Sequence, residues 1–138
     1  MDIIYCDASQ HEKYEYIGVG IFHNGEQIEV EIPKQNHKAM LHEIEAIIKV
    51  IEYAFSQGLK HFKIVNDEKV LITSTRKRLQ GEKVRCKGLL SKERYVQMMV
   101  MLRKYNIQLD YPKSEEDKEA IRICHRLSRN YISRNGLK

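Results

Sequence analysis

The chain begins with the segment Met1–Ser9, MDIIYCDAS, in which an apolar run ends at an aspartate followed by two small residues. Residues Asp2–Asp7 are predicted to form a buried β-strand that carries Asp7 at its carboxyl end. An aspartate in this place is weak evidence for a site, because aspartate also begins turns and caps helices. Asp7 therefore indicates a site only if other acids lie beside it.

Two further strands are predicted to follow the first in a meander. Tyr16–His23 (YIGVGIFH) is predicted as the second strand, and Asn24-Gly25 after it is typical of a tight hairpin turn. In Gln27–Ile32 (QIEVEI) isoleucine and valine alternate with charged or polar residues, which predicts a third strand that Pro33 ends.

The rest of the chain alternates helical patterns with strand patterns. Helices are predicted over Met40–Gln57, Glu68–Gln80, Ser91–Tyr105 and Lys118–Ile132, and strands over Lys60–Asn66 and Asn106–Tyr111. This order predicts an α/β fold for one domain over residues 1–138, with a mixed sheet of five strands against which the helices pack.

Composition agrees with one compact domain. The chain has 138 residues, of which 42% are hydrophobic and 31% charged, and this is enough apolar material for a single core. No apolar run approaches the ~20 residues that span a bilayer, and no signal-peptide pattern opens the chain, so a cytoplasmic protein without a membrane segment is expected. The three cysteines lack CxxC spacing, which favours reduced thiols over disulfides or structural zinc.

The charge distribution favours an anionic partner. The net charge is +5 and the sequence pI about 9.1. Basic residues concentrate between Arg76 and Arg94, and the predicted nucleic-acid-binding residues are Arg76, Lys77, Arg78, Lys83, Arg85 and Lys87. The alternative is that this run is only a solvated face.

Three acids are expected to converge. If the first and fourth strands are parallel neighbours, Asp7 and Asp67 meet at their carboxyl ends, and Glu43 falls within the apolar arc of the helix Met40–Gln57. A salt bridge explains Glu43 taken alone, but three carboxylates close together repel one another unless a metal neutralises them. Oxygen ligands suit Mg²⁺ or Mn²⁺, and two such ions ~3.5–4 Å apart form the arrangement of two-metal nucleases.

The same segments resemble a known family. The D-A-S after the first strand, the YIGVGIFHNGE hairpin, the HEIEAIIKVIEYA helix and the VNDEKVL segment are similar to ribonuclease H of the bacterial type-one family, over nearly the whole chain. The resemblance implies a ribonuclease H-like sheet with three antiparallel strands, then parallel strands, and helices on both faces. It also implies a hydrolase, an endonuclease that cuts the RNA strand of RNA–DNA hybrids, with Asp7, Glu43 and Asp67 as catalytic, metal-binding acids.

The resemblance also identifies a substitution at a fourth site residue. The family carries a further carboxylate in a pattern like C-D-x-L-A in the last helix, where this chain has Cys124–Ser128, CHRLS. His125 therefore takes the place of the fourth acid, as a catalytic and metal-binding residue that suits Mn²⁺ better than Mg²⁺. Two alternatives stay open: His125 is a surface residue, or an acid of Glu115, Glu116 and Asp117 fills the place.

Other departures from the family concern substrate contacts. Ala39–His42 replaces an asparagine-rich segment, Ser114–Asp117 replaces a histidine among glycines, and the basic segment has no tryptophan. Besides the enzyme, two hypotheses are therefore kept: a degenerate member that binds nucleic acid without cleavage, and a small scaffold. A monomer is favoured.

Overall fold

The computed structural model describes residues 1–34, 39–84 and 87–134. Its strands are β1 (Asp2–Gln10), β2 (Tyr16–His23), β3 (Glu26–Pro33), β4 (Phe62–Val65) and β5 (Gln108–Asp110). Its α-helices are α1 (Ala39–Ser56), α2 (Lys69–Leu79), α3 (Glu93–Lys104) and α4 (Glu115–Arg134), and a short 3-10 helix spans Lys87–Ser91. The predicted order of strands and α-helices is confirmed, with ends that differ by a few residues.

The five strands form one mixed sheet in the order β3-β2-β1-β4-β5. β1, β2 and β3 are antiparallel neighbours, whereas β4 lies parallel to β1 and to β5. At the hairpin between β2 and β3, Asn24 and Gly25 have φ angles of 49° and 81°, the positive values that a tight turn of this kind requires. β1 therefore joins the antiparallel half of the sheet to the parallel half.

β1 is longer than predicted, and Asp7 is not its last residue. The parallel ladder with β4 ends at the pair Tyr5–Val65, but the antiparallel ladder with β2 runs on from Tyr5 to Gln10. The prediction that Asp7 ends the strand was wrong. Ala8, Ser9 and Gln10 continue β1 because they pair with β2, and no apolar pattern marks them in the sequence. Asp7 lies within a continuous strand, at the point where β4 has already ended.

Helices cover both faces of the sheet, as predicted. On one face α1 packs with α3 over a core that includes Ile4, Ile47 and Met98. On the other face α4 contributes Ala120, Ile121 and Cys124 to a smaller cluster of buried side chains.

α4 lies very close to β2 because two glycines of β2 face it. A Cβ atom on Gly20 would come within 2.1 Å of the carbonyl oxygen of Cys124, and one on Gly18 within 1.9 Å of that of Ser128. Beside this contact the hydroxyl groups of Ser9 and Ser128 form a buried hydrogen bond of 2.6 Å. The glycines thus set the height of α4 above the sheet.

Two helices begin at other residues than predicted. α4 begins at Glu115 rather than Lys118, because Ser114 Oγ accepts from the Asp117 amide while Asp117 Oδ2 accepts from the Ser114 amide. α3 begins at Glu93 rather than Ser91, whose hydroxyl donates to the carbonyl of Gly88 and closes the 3-10 helix.

Two further expectations concern the cysteines and the membrane. Cys6 and Cys124 are buried and not disulfide-bonded, and Cys86 lies outside the described residues. Within the described ranges, no helix combines the length and apolar character needed to cross a bilayer.

We predict that Gly20→Ala lowers the free energy of unfolding by about 2 kcal/mol or more, because α4 must move away from β2 to admit the methyl group. Urea denaturation followed by circular dichroism measures this change. Gly88→Ala is the matched control, since a Cβ there meets nothing within 4 Å. Equal stability of the Gly20→Ala and Gly88→Ala variants would contradict the close packing of α4.

Candidate metal centre

Three acids from separate elements meet beside β1. Asp7, Glu43 and Asp67 each offer a carboxylate oxygen, and these oxygens all lie within 4.8 Å of one another. Asp7 lies on β1, Glu43 in the second turn of α1, and Asp67 in the link between β4 and α2. The structure therefore brings the three predicted acids together, although Asp67 follows the end of β4 at Val65 by two residues.

The acids are held in surroundings that disfavour their charges. Asp7 and Glu43 are 4% and 7% exposed, whereas Asp67 is exposed. Burial, aided by the charge of Asp67, raises the pKa of Asp7 from 3.8 to about 6, against the opposing effect of His125. Burial and the charge of Asp7 together raise the pKa of Glu43 well above its ordinary value.

The cluster has little cationic compensation. Of the ion pairs formed by the described residues, only the one between His125 and Asp7 reaches these acids. Buried carboxylates without a lysine or arginine are suited to a divalent cation, which favours their ionised forms and accepts oxygen ligands. The donor set thus fits the metal expected from the sequence.

His125 lies next to Asp7. Its Nδ1 is 2.8 Å from Asp7 Oδ2, and because an ionised carboxylate only accepts, the imidazole donates this hydrogen bond. The His125 side chain is 56% exposed, so its ring stands between the buried acid and solvent. The packing of α4 on the glycines of β2 places the ring there.

The acids near the start of α4 are engaged elsewhere. Asp117 accepts a hydrogen bond of 2.7 Å from the Tyr5 hydroxyl and also caps α4. Glu115 is paired with Lys118 at 3.6 Å, and Glu116 is exposed. None of these three belongs to the acid cluster found among the described residues.

A fourth polar residue of the centre was missed from the sequence. Asn66 is fully buried, and its Nδ2 donates to Glu43 Oε1 at 3.0 Å and to the carbonyl of Cys6 at 3.3 Å. Its Oδ1 accepts from the Glu68 amide at 2.9 Å. An asparagine directly before Asp67, at the end of an apolar strand, was the available signal, but its partners depend on the fold.

The predicted nucleic-acid-binding residues have different surroundings. Arg76 pairs with Asp110 at 2.9 Å, and the buried Arg78 donates to the Tyr95 hydroxyl at 3.0 Å. Lys77 and Lys83 are exposed. Arg85 lies outside the described residues, and Lys87 is the first residue of the 3-10 helix. Binding by this segment stays a prediction.

We predict that Asp7→Asn raises the free energy of unfolding at pH 8 by about 1–2 kcal/mol, in EDTA. The folded-state pKa of Asp7 is raised, so the folded chain binds more protons than the unfolded chain between about pH 4 and 6, and wild-type stability falls as pH rises through this window. Urea denaturation at pH 4 and pH 8 tests this, and the advantage of the variant should be lost at pH 4.

Asp2→Asn on the same strand is the control with the opposite sign. A hydrogen bond from His23 lowers the pKa of Asp2, so its removal should destabilise the chain at pH 8. A destabilised Asp7→Asn variant at pH 8 would contradict the electrostatic description of the cluster.

Of the comparisons with known proteins, only the one with solved structures supports the fold. Neither protein-family models nor curated protein sequences gave a match. Among solved structures, the chain is similar to the N-terminal ribonuclease H domain of a Mycobacterium tuberculosis protein, with 15% identity, 97% coverage of each chain and a TM-score of 0.63.

Two further solved structures are similar to this chain over nearly their whole length. Ribonuclease H1 from the archaeon Halobacterium salinarum has 15% identity, coverage of 94% of this chain and 98% of its own, and a TM-score of 0.60. A structure of the ribonuclease H1 LC11, which was isolated from compost, in complex with an RNA/DNA hybrid has 17% identity, coverage of 96% of this chain and 99% of its own, and a TM-score of 0.61. The chain therefore has a ribonuclease H-like fold.

Proposed function

We propose that the chain is a metal-dependent endonuclease that hydrolyses the RNA strand of RNA–DNA hybrids. The observation that carries the proposal is the convergence of Asp7, Glu43 and Asp67 within 4.8 Å of one another on a ribonuclease H-like fold. A similar structure that contains an RNA/DNA hybrid supports the substrate class.

The residues that would hold the metal are Asp7, Glu43 and Asp67, with His125 at the side of Asp7. Mg²⁺ and Mn²⁺ both accept carboxylate oxygens, and the imidazole favours Mn²⁺. Two such ions supply activation of the attacking water and stabilisation of the leaving oxygen of the phosphodiester.

The proton states of the acids follow from their burial. Asp7 has a pKa of about 6, and burial beside the charge of Asp7 raises the pKa of Glu43 as well. A carboxylate binds a metal in its ionised form, so protons compete with the cation for these acids. Affinity for the metal is therefore expected to rise with pH.

His125 takes the place of a fourth acid without its negative charge. Its Nδ1–H donates to Asp7 Oδ2 and orients that carboxylate, while its ring is exposed to solvent. An imidazole adds no negative charge, so the site has three carboxylates and attracts a strongly hydrated ion such as Mg²⁺ less strongly than a site with four.

Substrate binding is assigned to the basic segment. Lys77 and Lys83 are exposed and suited to backbone phosphates, and Arg85 and Lys87 continue the same run of charge in the sequence. Arg76 and Arg78 join them only if they leave Asp110 and Tyr95. Contacts to 2′-hydroxyls across the shallow minor groove would select the RNA strand.

We predict that the purified chain cleaves a labelled RNA–DNA hybrid with Mg²⁺ or Mn²⁺, and that Asp7→Asn lowers the rate by about 10³-fold or more. Loss of one of three acids removes both charge and a ligand from the site. Gel analysis of cleavage and a filter-binding assay measure the rate and the affinity for hybrid, which should stay within a few-fold of wild type.

The matched control is Asp2→Asn, the same substitution on the same strand, which should cleave at the wild-type rate. Undiminished cleavage by Asp7→Asn would show that the chemistry lies elsewhere. A wild-type chain that binds the hybrid but does not cleave it with either metal would be a non-catalytic binder, and failure to bind would favour a scaffold.

We also predict that His125→Asp raises the Mg²⁺-supported cleavage rate by about 10-fold relative to the Mn²⁺-supported rate. The added carboxylate gives the site a fourth negative oxygen ligand. Steady-state rates in each metal measure the ratio, with His125→Ala as a control that removes the imidazole without adding charge. A lower Mg²⁺ rate in His125→Asp would show that the imidazole has a role that a carboxylate cannot fill.

A further inference from the structure

We propose that Asn66 is a positioning residue that holds the Glu43 carboxylate in its metal-binding orientation. This inference rests on the proposed metal-dependent function. It concerns a residue outside the acid cluster that touches one of the acids directly.

Asn66 joins the three segments that carry the acids. Its Nδ2 donates to Glu43 Oε1 at 3.0 Å on α1 and to the carbonyl of Cys6 at 3.3 Å on β1, directly before Asp7. Its Oδ1 accepts from the amide of Glu68 at 2.9 Å, directly after Asp67. One fully buried side chain thus fixes the spacing of all three elements.

The orientation of the Asn66 amide follows from its partners. The Glu68 amide can only donate, so it requires Oδ1, and Nδ2 is then turned toward the Cys6 carbonyl and the Glu43 carboxylate, which both accept. An aspartate in this place could not donate to an ionised Glu43. The amide is the group that satisfies all three partners.

Glu43 needs such a partner. It is 7% exposed, and no lysine or arginine forms an ion pair with it among the described residues. A hydrogen bond to an ionised carboxylate is stronger than one between neutral groups, and it restricts the side chain to one rotamer. Because a carboxylate has two oxygens with several lone pairs, this bond leaves Glu43 able to bind a cation.

The geometry therefore assigns Asn66 a role through Glu43 rather than through contact with substrate. Hydrogen-bonding groups behind a metal ligand typically contribute 10–100-fold to metal affinity. Without the donor, Glu43 would have to be reoriented and desolvated at the moment of binding. The cost should appear in metal affinity and in kcat at limiting metal, and not in the KM for the hybrid.

The test is Mn²⁺ affinity of the full chain, measured by electron paramagnetic resonance of free Mn²⁺. We expect Asn66→Ala to weaken binding by about 10-fold. Glu43→Gln should weaken it more, and adding Asn66→Ala to Glu43→Gln should cause no further loss, because the two residues act as one unit. Thermal unfolding of each variant verifies the fold, and Asn66→Ser replaces Asn66→Ala if the latter does not fold.

The matched control is Tyr53→Phe, at the other end of α1. It removes hydrogen bonds between the Tyr53 hydroxyl and the side chains of His23 and Glu26, and it should bind Mn²⁺ within twofold of wild type. Mn²⁺ affinity within twofold of wild type in Asn66→Ala would overturn the proposal. So would an equal loss in the wild-type and Glu43→Gln backgrounds.

The outcome is separable from the proposed hydrolysis. A chain that does not cleave hybrids but shows this pattern of Mn²⁺ affinity would retain the role of Asn66 and lose the proposed function. Conversely, a chain that cleaves hybrids with an unchanged kcat and Mn²⁺ affinity in Asn66→Ala would retain the function and lose the role of Asn66.

Discussion

The unequal pairing of β1 with its two neighbours is the constraint on which the rest of the site depends. β2 pairs with β1 as far as Gln10, whereas β4 pairs with it only as far as Tyr5. Asp7 is thus held by a rigid ladder on one side while β4 has ended on the other. Glu43 from α1 and Asp67 from the link after β4 meet Asp7 there, and α4 brings His125 to it from the other face of the sheet.

This arrangement of the acids is electrostatically unfavourable when no cation is bound. Two acids with 4% and 7% exposure lie together with an exposed third, and burial and mutual repulsion raise the pKa values of Asp7 and Glu43. A chain selected for stability alone would place apolar or amide side chains there. The three acids form a site in which the negative charge is unfavourable until a divalent cation binds. Hydrogen bonds from His125 and Asn66 orient the carboxylates of Asp7 and Glu43.

Much of the fold and part of the site could be predicted from the sequence, because the patterns that indicate them lie within short segments of the chain. Asn24-Gly25 predicted the hairpin between β2 and β3, and the spacing of apolar residues predicted α1. Glu43, which falls within the apolar arc of α1, indicated the site. The full length of β1 could not be predicted, since its last residues are held by β2. The contacts of Asn66 and the internal engagement of Arg76 and Arg78 depend on neighbours distant in sequence. The start of α4 at Glu115 could have been predicted, because Ser114 and Asp117 have the spacing of a capping box.

The most direct test of the central claim is anomalous diffraction at the manganese edge from crystals of the chain grown with Mn²⁺. We predict an anomalous peak at coordination distance from carboxylate oxygens of Asp7, Glu43 and Asp67. Full Mn²⁺ occupancy elsewhere, with no Mn²⁺ bound by Asp7, Glu43 and Asp67, would contradict this prediction.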